Sequence, residues 1–106
     1  MKQLINTLRI LIDIAKQLGL PDSDLMNAID FLEHDEYGLC FDTIVTQMYE
    51  YDIEIDDEFY SLLICISVKL VLSSDSYSFM KELIRNENKI PEHVKEELLK
   101  IIKSLG

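Results

Sequence analysis

The sequence contains little glycine or proline and no tryptophan. Three glycines and two prolines occur among its 106 residues, and 48% of the residues are hydrophobic. This composition excludes a disordered, collagen-like or linker-type chain, because so much apolar surface can offset the conformational entropy lost on folding. Three scattered glycines also cannot supply the glycine fingerprint of a dinucleotide-binding enzyme or a phosphate-binding P-loop. We expect one globular domain without a nucleotide cofactor.

Long uninterrupted hydrophobic runs are missing as well. The apolar N-terminal stretch is interrupted by Arg9, Asp13 and Lys16. The longest apolar stretch, residues 59–72, contains Lys69 and is shorter than the roughly 20 residues that a membrane-spanning helix needs. The sequence therefore predicts a cytoplasmic protein with neither a signal peptide nor a membrane span.

Cysteine and histidine each occur only twice. Cys40 and Cys65 lack metal-site spacing, and a cytoplasmic location keeps thiols reduced, so we expect both to be small buried hydrophobic residues. No His-Glu-x-x-His motif surrounds His34 or His93, which are expected on the surface. Residues 78–81 have the Ser-x-x-Lys spacing of some acyl-transfer enzymes, but the motifs that accompany it there are absent. We predict no catalytic residue, metal or other cofactor.

The acidic stretch between the third and fourth predicted helices resembles a calcium loop in part. Asp52, Glu54 and Asp56 stand at positions one, three and five of such a loop. However, Asp57 stands where the loop needs glycine, and Leu63 stands where a bidentate glutamate should complete the ligand shell. The sequence therefore does not predict a dedicated calcium site.

Hydrophobic periodicity predicts six helices joined by short connections. Their bounds are about 3–18, 22–34, 41–51, 56–72, 74–85 and 91–105. Gly38 lies either in the break before the third helix or in its first turn. Asp56 or Asp57 is expected to cap the fourth helix, and Pro91 is expected to open the sixth.

The fourth predicted helix is apolar on nearly every face, which is typical of a helix at the centre of a bundle. Because β-branched residues alternate with other residues from Ile64 to Leu70, a strand is the alternative for this segment. Its length and its helical neighbours favour a helix. We predict an all-α fold, a compact single-domain bundle of about six helices around this central helix.

Basic residues are missing from the middle of the chain. Thirteen acidic residues and no lysine or arginine lie between Gln17 and Val68, and the net charge of the whole chain is −10. Such a charge disfavours binding to nucleic acid or to an anionic membrane surface. Four of the five tyrosines lie in the same region: Tyr37, Tyr49, Tyr51 and Tyr60. An acidic surface with tyrosines suits a basic protein partner, and the alternative is a solvated acidic face that maintains solubility.

Three short segments carry a family resemblance. Residues 33–39 read Glu-His-Asp-Glu-Tyr-Gly-Leu, Phe41-Asp42 follows, and residues 49–53 read Tyr-Glu-Tyr-Asp-Ile. Around them, over residues 31–63, the chain resembles the MafI-type family of small immunity proteins, which includes relatives paired with contact-dependent growth inhibition toxins. The resemblance implies a short acidic helical protein that binds and neutralises the C-terminal toxin domain, often a nuclease, delivered by sibling bacteria. Under it, Gly38, Leu39 and Phe41 are expected to be architectural.

The predicted function is therefore binding of a basic toxin domain, most simply a ribonuclease, by a carboxylate surface that blocks its substrate site. The predicted partner-binding residues are Glu33, Asp35, Glu36, Tyr37, Glu50, Tyr51, Asp52, Glu54, Asp57, Glu58 and Tyr60. One alternative is an acidic adaptor or regulatory module that takes a partner helix in an apolar groove, and another is a small enzyme. Either a monomer or a homodimer is possible, since helix one carries extra apolar residues at Ile5, Ile10, Ile12 and Ile14.

Overall fold

The computed structural model describes residues 2–85 and 92–105 of the chain. The α-helices in this part are α1 Lys2–Gln17, α2 Asp22–Glu33, α3 Tyr37–Glu50, α4 Asp57–Lys69 and α5 Glu92–Leu105. Two 3₁₀ helices, Ser74–Ser76 and Ser78–Leu83, lie between α4 and α5. Within the described residues no strand forms, although Ile55 and Ile84 make an isolated parallel bridge. The predicted all-α class is confirmed.

The contacts group the helices into two compact units. Residues 1–53 contain α1, α2 and α3, and residues 54–106 contain α4, the two 3₁₀ helices and α5. In the first unit each of the three helices packs against the other two, and in the second α4 packs against α5 and the first 3₁₀ helix. The predicted start of the last helix at Pro91 lies outside the described residues.

The first unit buries one apolar face from each helix. The fully buried apolar side chains include Leu8, Leu11, Ile14, Ala15, Ala28, Cys40, Phe41, Ile44, Val45 and Met48. Most of them follow the predicted three- and four-residue spacing, which places them on one side of each helix. Two differences matter for surface chemistry. Ile12 and Ile14, which the sequence offered as extra apolar surface, are buried. Ile29 is exposed beside Met26, although its spacing from Leu25 and Leu32 is that of one helical face.

The second unit is organised by α4. The side chain of Asp56 accepts a hydrogen bond from the backbone nitrogen of Phe59 at 2.9 Å, which confirms the predicted cap. The buried residues of α4 are Phe59, Tyr60, Leu62, Leu63, Ile66 and Ser67. Ile64 and Val68, which are apolar residues on the other faces of this helix, are exposed. The strand alternative is wrong, because the segment is helical to Lys69.

The predicted fifth α-helix forms instead as two short 3₁₀ helices. The hydroxyl of Ser76 donates to the carbonyl of Ser73 at 2.7 Å, and the amides of Ser76 and Met80 donate to carbonyls three residues earlier. Serine side chains that bond to nearby backbone compete with α-helix formation. The amide of Ile55 also donates to the carbonyl of Leu83 at 2.9 Å, which fixes the end of the second 3₁₀ helix. The spacing of apolar residues alone does not reveal that serine side chains compete with α-helix formation in this segment.

Helices α1 to α4 all end in the same backbone motif. In each, the second residue past the helix has a left-handed φ, and these residues are Gly19, Asp35, Asp52 and Val71, with φ of 110°, 60°, 54° and 57°. After α3, for example, the amide of Asp52 donates to Tyr49 at 3.1 Å and that of Ile53 donates to Met48 at 3.0 Å. This double hydrogen bond is the Schellman motif, whose left-handed position usually holds glycine. Three of the four positions therefore hold a residue less suited to that backbone than glycine.

We predict that Val71→Gly stabilises the protein by about 1 kcal/mol. A left-handed conformation costs a β-branched residue ~1–2 kcal/mol, and glycine removes this cost while losing part of the gain through chain entropy. Urea unfolding followed by circular dichroism measures the change. The control is Val68→Gly, inside α4, which is expected to destabilise by roughly 0.5 kcal/mol because glycine is a poor helix former. Loss of stability in both variants would show that Val71 is not strained.

Candidate partner-binding surface

The predicted partner-binding residues fall into three groups at helix ends. We call residues 33–37 the α2–α3 turn, residues 50–52 the α3 end, and residues 54–60 the α4 start. The first two groups belong to the first unit and the third belongs to the second unit. Each is positioned by a different helix terminus, and the local electrostatics of the three differ for that reason.

The α2–α3 turn presents an exposed run of charge. Glu33, Asp35 and Glu36 are all exposed. The hydroxyl of Tyr37 donates to Oδ1 of Asp35 at 3.1 Å. Desolvation, and then this hydrogen bond, raise the pKa of Tyr37. The turn thus combines carboxylates with one half-buried aromatic ring held in place by a carboxylate.

His34 in the same turn is held against the end of α2. Its Nδ1 lies 2.8 Å from the carbonyl oxygen of Asp30 and 3.6 Å from the Oδ1 of the same residue. The hydrogen bond to this carbonyl, followed by the Asp30 charge, raises the pKa of His34 above its ordinary value. The turn therefore gains a positive charge as the pH falls.

The α3 end places acidic residues where a helix disfavours them. Glu50 is the last residue of α3, Tyr51 follows as its C-cap, and Asp52 has the left-handed φ of 54°. The last turn of α3 contains no basic residue. Because the helix macrodipole leaves a negative end there, each carboxylate costs about 0.3–1 kcal/mol. Tyr51 is 53% exposed between the two carboxylates, so this end presents an aromatic ring and negative charge together.

The α2–α3 turn and the α3 end do not form one cluster. They flank the 14 residues of α3, which at 1.5 Å per residue separates them by roughly 20 Å. Two acidic patches in the first unit are therefore distinct along this helix. An interface of standard size, about 800 Å² on each partner, is wide enough to include both.

The α4 start has a structural explanation for its charge. Asp57 and Glu58 lie in the first turn of α4, where the positive end of the helix stabilises carboxylates. Glu54 and Glu58 are half-buried and Asp57 is exposed. Asp57 and Glu58 would be favourable there without any partner. They are consequently weaker evidence for a binding surface than those of the α3 end.

Tyr60 is not placed as an accessible anchor. Only 9% of this residue is exposed, and burial raises its pKa. The ring of Tyr77 meets it edge-on with centroids 5.6 Å apart, and Nζ of Lys81 lies 5.8 Å from the Tyr60 ring centroid. The second unit already covers this aromatic face, so we leave Tyr60 out of the contact surface.

Gly38 and Leu39 were expected to be architectural, and the structure does not support that role. Gly38 lies in the first turn of α3 without a left-handed φ, and a Cβ added there would meet nothing within 4 Å. Leu39 is 47% exposed, whereas Phe41 is fully buried as expected. A helical glycine without a conformational or steric reason destabilises by about 1 kcal/mol relative to alanine. Both residues therefore extend the exposed surface of the α2–α3 turn, and the glycine inside a helical pattern was the signal for it.

The described residues contain no cluster of side chains suited to hold a metal ion. A polar hollow of about 420 Å³ between α2 and α3 is lined by Asp24, Asp30 and Asp42 among others, but nowhere in the described part are three or more His, Cys, Asp or Glu side chains placed to hold a metal ion. Burial raises the pKa of Cys40 to about 11, which keeps this thiol protonated. Cys65 is half-buried and both thiols are free. None of the helices described combines the length and the apolar character needed to cross a membrane.

Comparison with known proteins does not assign this chain to a family or a function. The chain matches no protein-family model, no curated protein and no solved structure. The resemblance to MafI-type immunity proteins, and the function it implies, stay predictions.

We predict that His34 titrates above pH 6.5, since its bond to the Asp30 carbonyl and the Asp30 charge both favour the protonated ring. A raised folded-state pKa stabilises the protein fully below the unfolded value near 6.5, and this contribution is lost as the pH rises through the folded value. A proton NMR titration of the ring measures the pKa. Asp30→Asn keeps the carbonyl but removes the charge, and it should lower the value. A wild-type pKa at or below 6.5 would contradict the geometry.

Proposed function

We propose that this chain is an immunity protein that binds a basic toxin domain, most simply a ribonuclease, and covers the cationic site with which that toxin holds its substrate. Binding is its whole activity in this role. The place of action is the cytoplasm, where the toxin would meet its substrate. The proposal rests on the charge and geometry of the first unit together with the resemblance of residues 31–63.

The observation that carries the proposal is the α3 end. Its two carboxylates stand at the negative end of a helix, and Asp52 also adopts a backbone conformation that glycine would adopt without strain. In α1, α4 and α5 the last turn holds a lysine instead. A stability cost at an exposed position indicates a functional constraint, because folding alone favours a different residue.

A nuclease supplies the complementary surface. Enzymes that cleave RNA or DNA hold the phosphate backbone with lysine and arginine, so their substrate cleft is cationic. Carboxylates on an inhibitor can occupy this cleft or a site beside it, and the long-range attraction accelerates encounter. Tyr51 offers an amphipathic ring among these charges, and such rings are frequent interface anchors. The α2–α3 turn, with Gly38 and Leu39 exposed beside its carboxylates, would form the second contact on the same partner.

The first test is a titration of this protein into the C-terminal toxin domain encoded by the gene immediately upstream. Calorimetry measures binding, and RNA cleavage on a gel measures inhibition, each at low and high salt. We expect tight binding that weakens with salt and abolishes cleavage. Binding without any RNA cleavage to inhibit would change the toxin class, and no binding would contradict the proposal.

Neutralising the α3 end should slow association. Glu50→Gln combined with Asp52→Asn is expected to reduce the association rate with that toxin domain about tenfold at low salt and to flatten its salt dependence, because two steering charges are removed. Stopped-flow fluorescence or surface plasmon resonance measures the rate.

The matched control for this variant removes the same charge elsewhere. Asp13→Asn combined with Asp75→Asn neutralises two exposed carboxylates outside the three groups. If the control slows association as much as the variant does, net charge steers the encounter and the α3 end is not the contact surface.

A further inference from the structure

The α1–α2 face of the first unit holds an open apolar groove. Ile12, Leu25, Met26, Ile29 and Leu32 line a volume of about 520 Å³ between the two helices. Met26 is 68% exposed, and it also lines an adjoining hollow on α2 together with Ile29. Ile12, Leu25 and Leu32 form the buried floor of the groove, and Met26 and Ile29 are its exposed apolar side chains. Neighbouring exposed apolar residues of this kind occur at interaction sites. The groove lies on different residues from the acidic groups described above, apart from the edge of the adjoining hollow at Glu33.

The two edges of the groove carry opposite charge. Arg9 and Lys16 lie on the α1 edge with Asp13 between them, and Asp22 lies on the α2 edge. Asp30 continues the α2 edge in the adjoining hollow. Within the described part of the chain neither Arg9 nor Lys16 forms an ion pair. Both cations are therefore available to a carboxylate of another molecule, in a chain with a net charge of −10.

The spacing of these charges makes the face complementary to itself. Arg9 and Lys16 are seven residues apart on α1, about 10 Å, and Asp22 and Asp30 are eight residues apart on α2, about 12 Å. The short connection between the two helices makes them antiparallel neighbours. Midway between the two cations lies Ile12, and midway between the two carboxylates lies Met26. In this antiparallel pair Lys16 is level with Asp22 and Arg9 is level with Asp30. A twofold axis that runs along the groove, parallel to the helices, would therefore set each cation opposite a carboxylate of the second molecule.

We infer that the α1–α2 face is the surface through which two copies of this chain associate. In the dimer Arg9 of one copy faces Asp30 of the other, Lys16 faces Asp22, and Met26 of each copy packs over the groove of the other. With 16 residues in α1 and 12 in α2, the face measures roughly 20 Å in each direction. Such a face buries roughly 800 Å² in total, below the roughly 1,200–2,000 Å² of stable specific interfaces, so the dimer is weak and depends on concentration. It leaves the α3 end outside the contact, and it stands whether or not the partner proposed above is a toxin.

A charge-swap experiment tests the inference without any other protein. One variant combines Arg9→Glu with Lys16→Glu, and the other combines Asp22→Lys with Asp30→Lys. Sedimentation velocity over a concentration series should show wild type moving from 12.3 kDa to twice that mass, each variant alone remaining monomeric, and an equimolar mixture of the two recovering the doubled mass. The second variant lowers the net negative charge, so its failure to dimerise cannot be ascribed to general repulsion.

Two further variants separate the groove from exposed apolar residues in general. Met26→Asp places a charge at the apolar centre and should abolish the doubled mass. Val68→Asp changes a residue of almost equal exposure on α4, 69% against 68%, and should leave the doubled mass unchanged. Circular dichroism confirms that each variant is folded. A wild-type protein that stays monomeric at every concentration, a mixture that stays monomeric, or a Met26→Asp protein that still dimerises would overturn the inference.

Discussion

Termination of the helices in a left-handed residue is the constraint on which the other features depend. The motif satisfies the last carbonyls of α1 to α4 and redirects the chain within two residues, which allows the connections after these helices to be short. Glycine suits this position, and only α1 has it there. The turns after α2 and α3 use aspartate, so the same two positions that let the chain fold back also hold carboxylates at the surface. Asp35 and Asp52 thus each determine both the turn of the backbone and the charge at the surface.

The two aspartates are not energetically equivalent. Asp35 precedes α3, whose positive end offsets the negative end of α2 in the same short turn. Asp52 follows α3, and four residues separate it from Asp57, where α4 begins. Less of its unfavourable interaction with the negative end of α3 is therefore offset. The α4 start has a favourable location for its acidic residues. A charge count treats all three groups alike, whereas their positions on the helices identify the α3 end as the group whose charge the helix macrodipole opposes most.

Much of the fold was predictable because hydrophobic periodicity reports burial directly. Helices α1 to α4 and the cap at Asp56 follow from apolar spacing and capping chemistry. The segment 74–83 was predicted as an α-helix because its apolar residues fit the period, although serine bonding to nearby backbone turns it into 3₁₀ helix. The left-handed Val71 could not be predicted, since valine is among the residues least suited to that conformation.

The candidate site was predictable in composition and only partly in geometry. The acidic middle of the chain identifies the residues, but not that Tyr60 is covered by Tyr77 and Lys81, since those contacts join residues distant in sequence.

The most direct test of the central claim is Asp52→Gly, with unfolding free energy and affinity for the upstream-encoded toxin domain measured on the same preparation. The account predicts that stability rises by about 0.5–1 kcal/mol, because strain and an unfavourable charge are both removed, while affinity falls. Lower stability with unchanged affinity would show that the carboxylate serves the fold and would contradict the account.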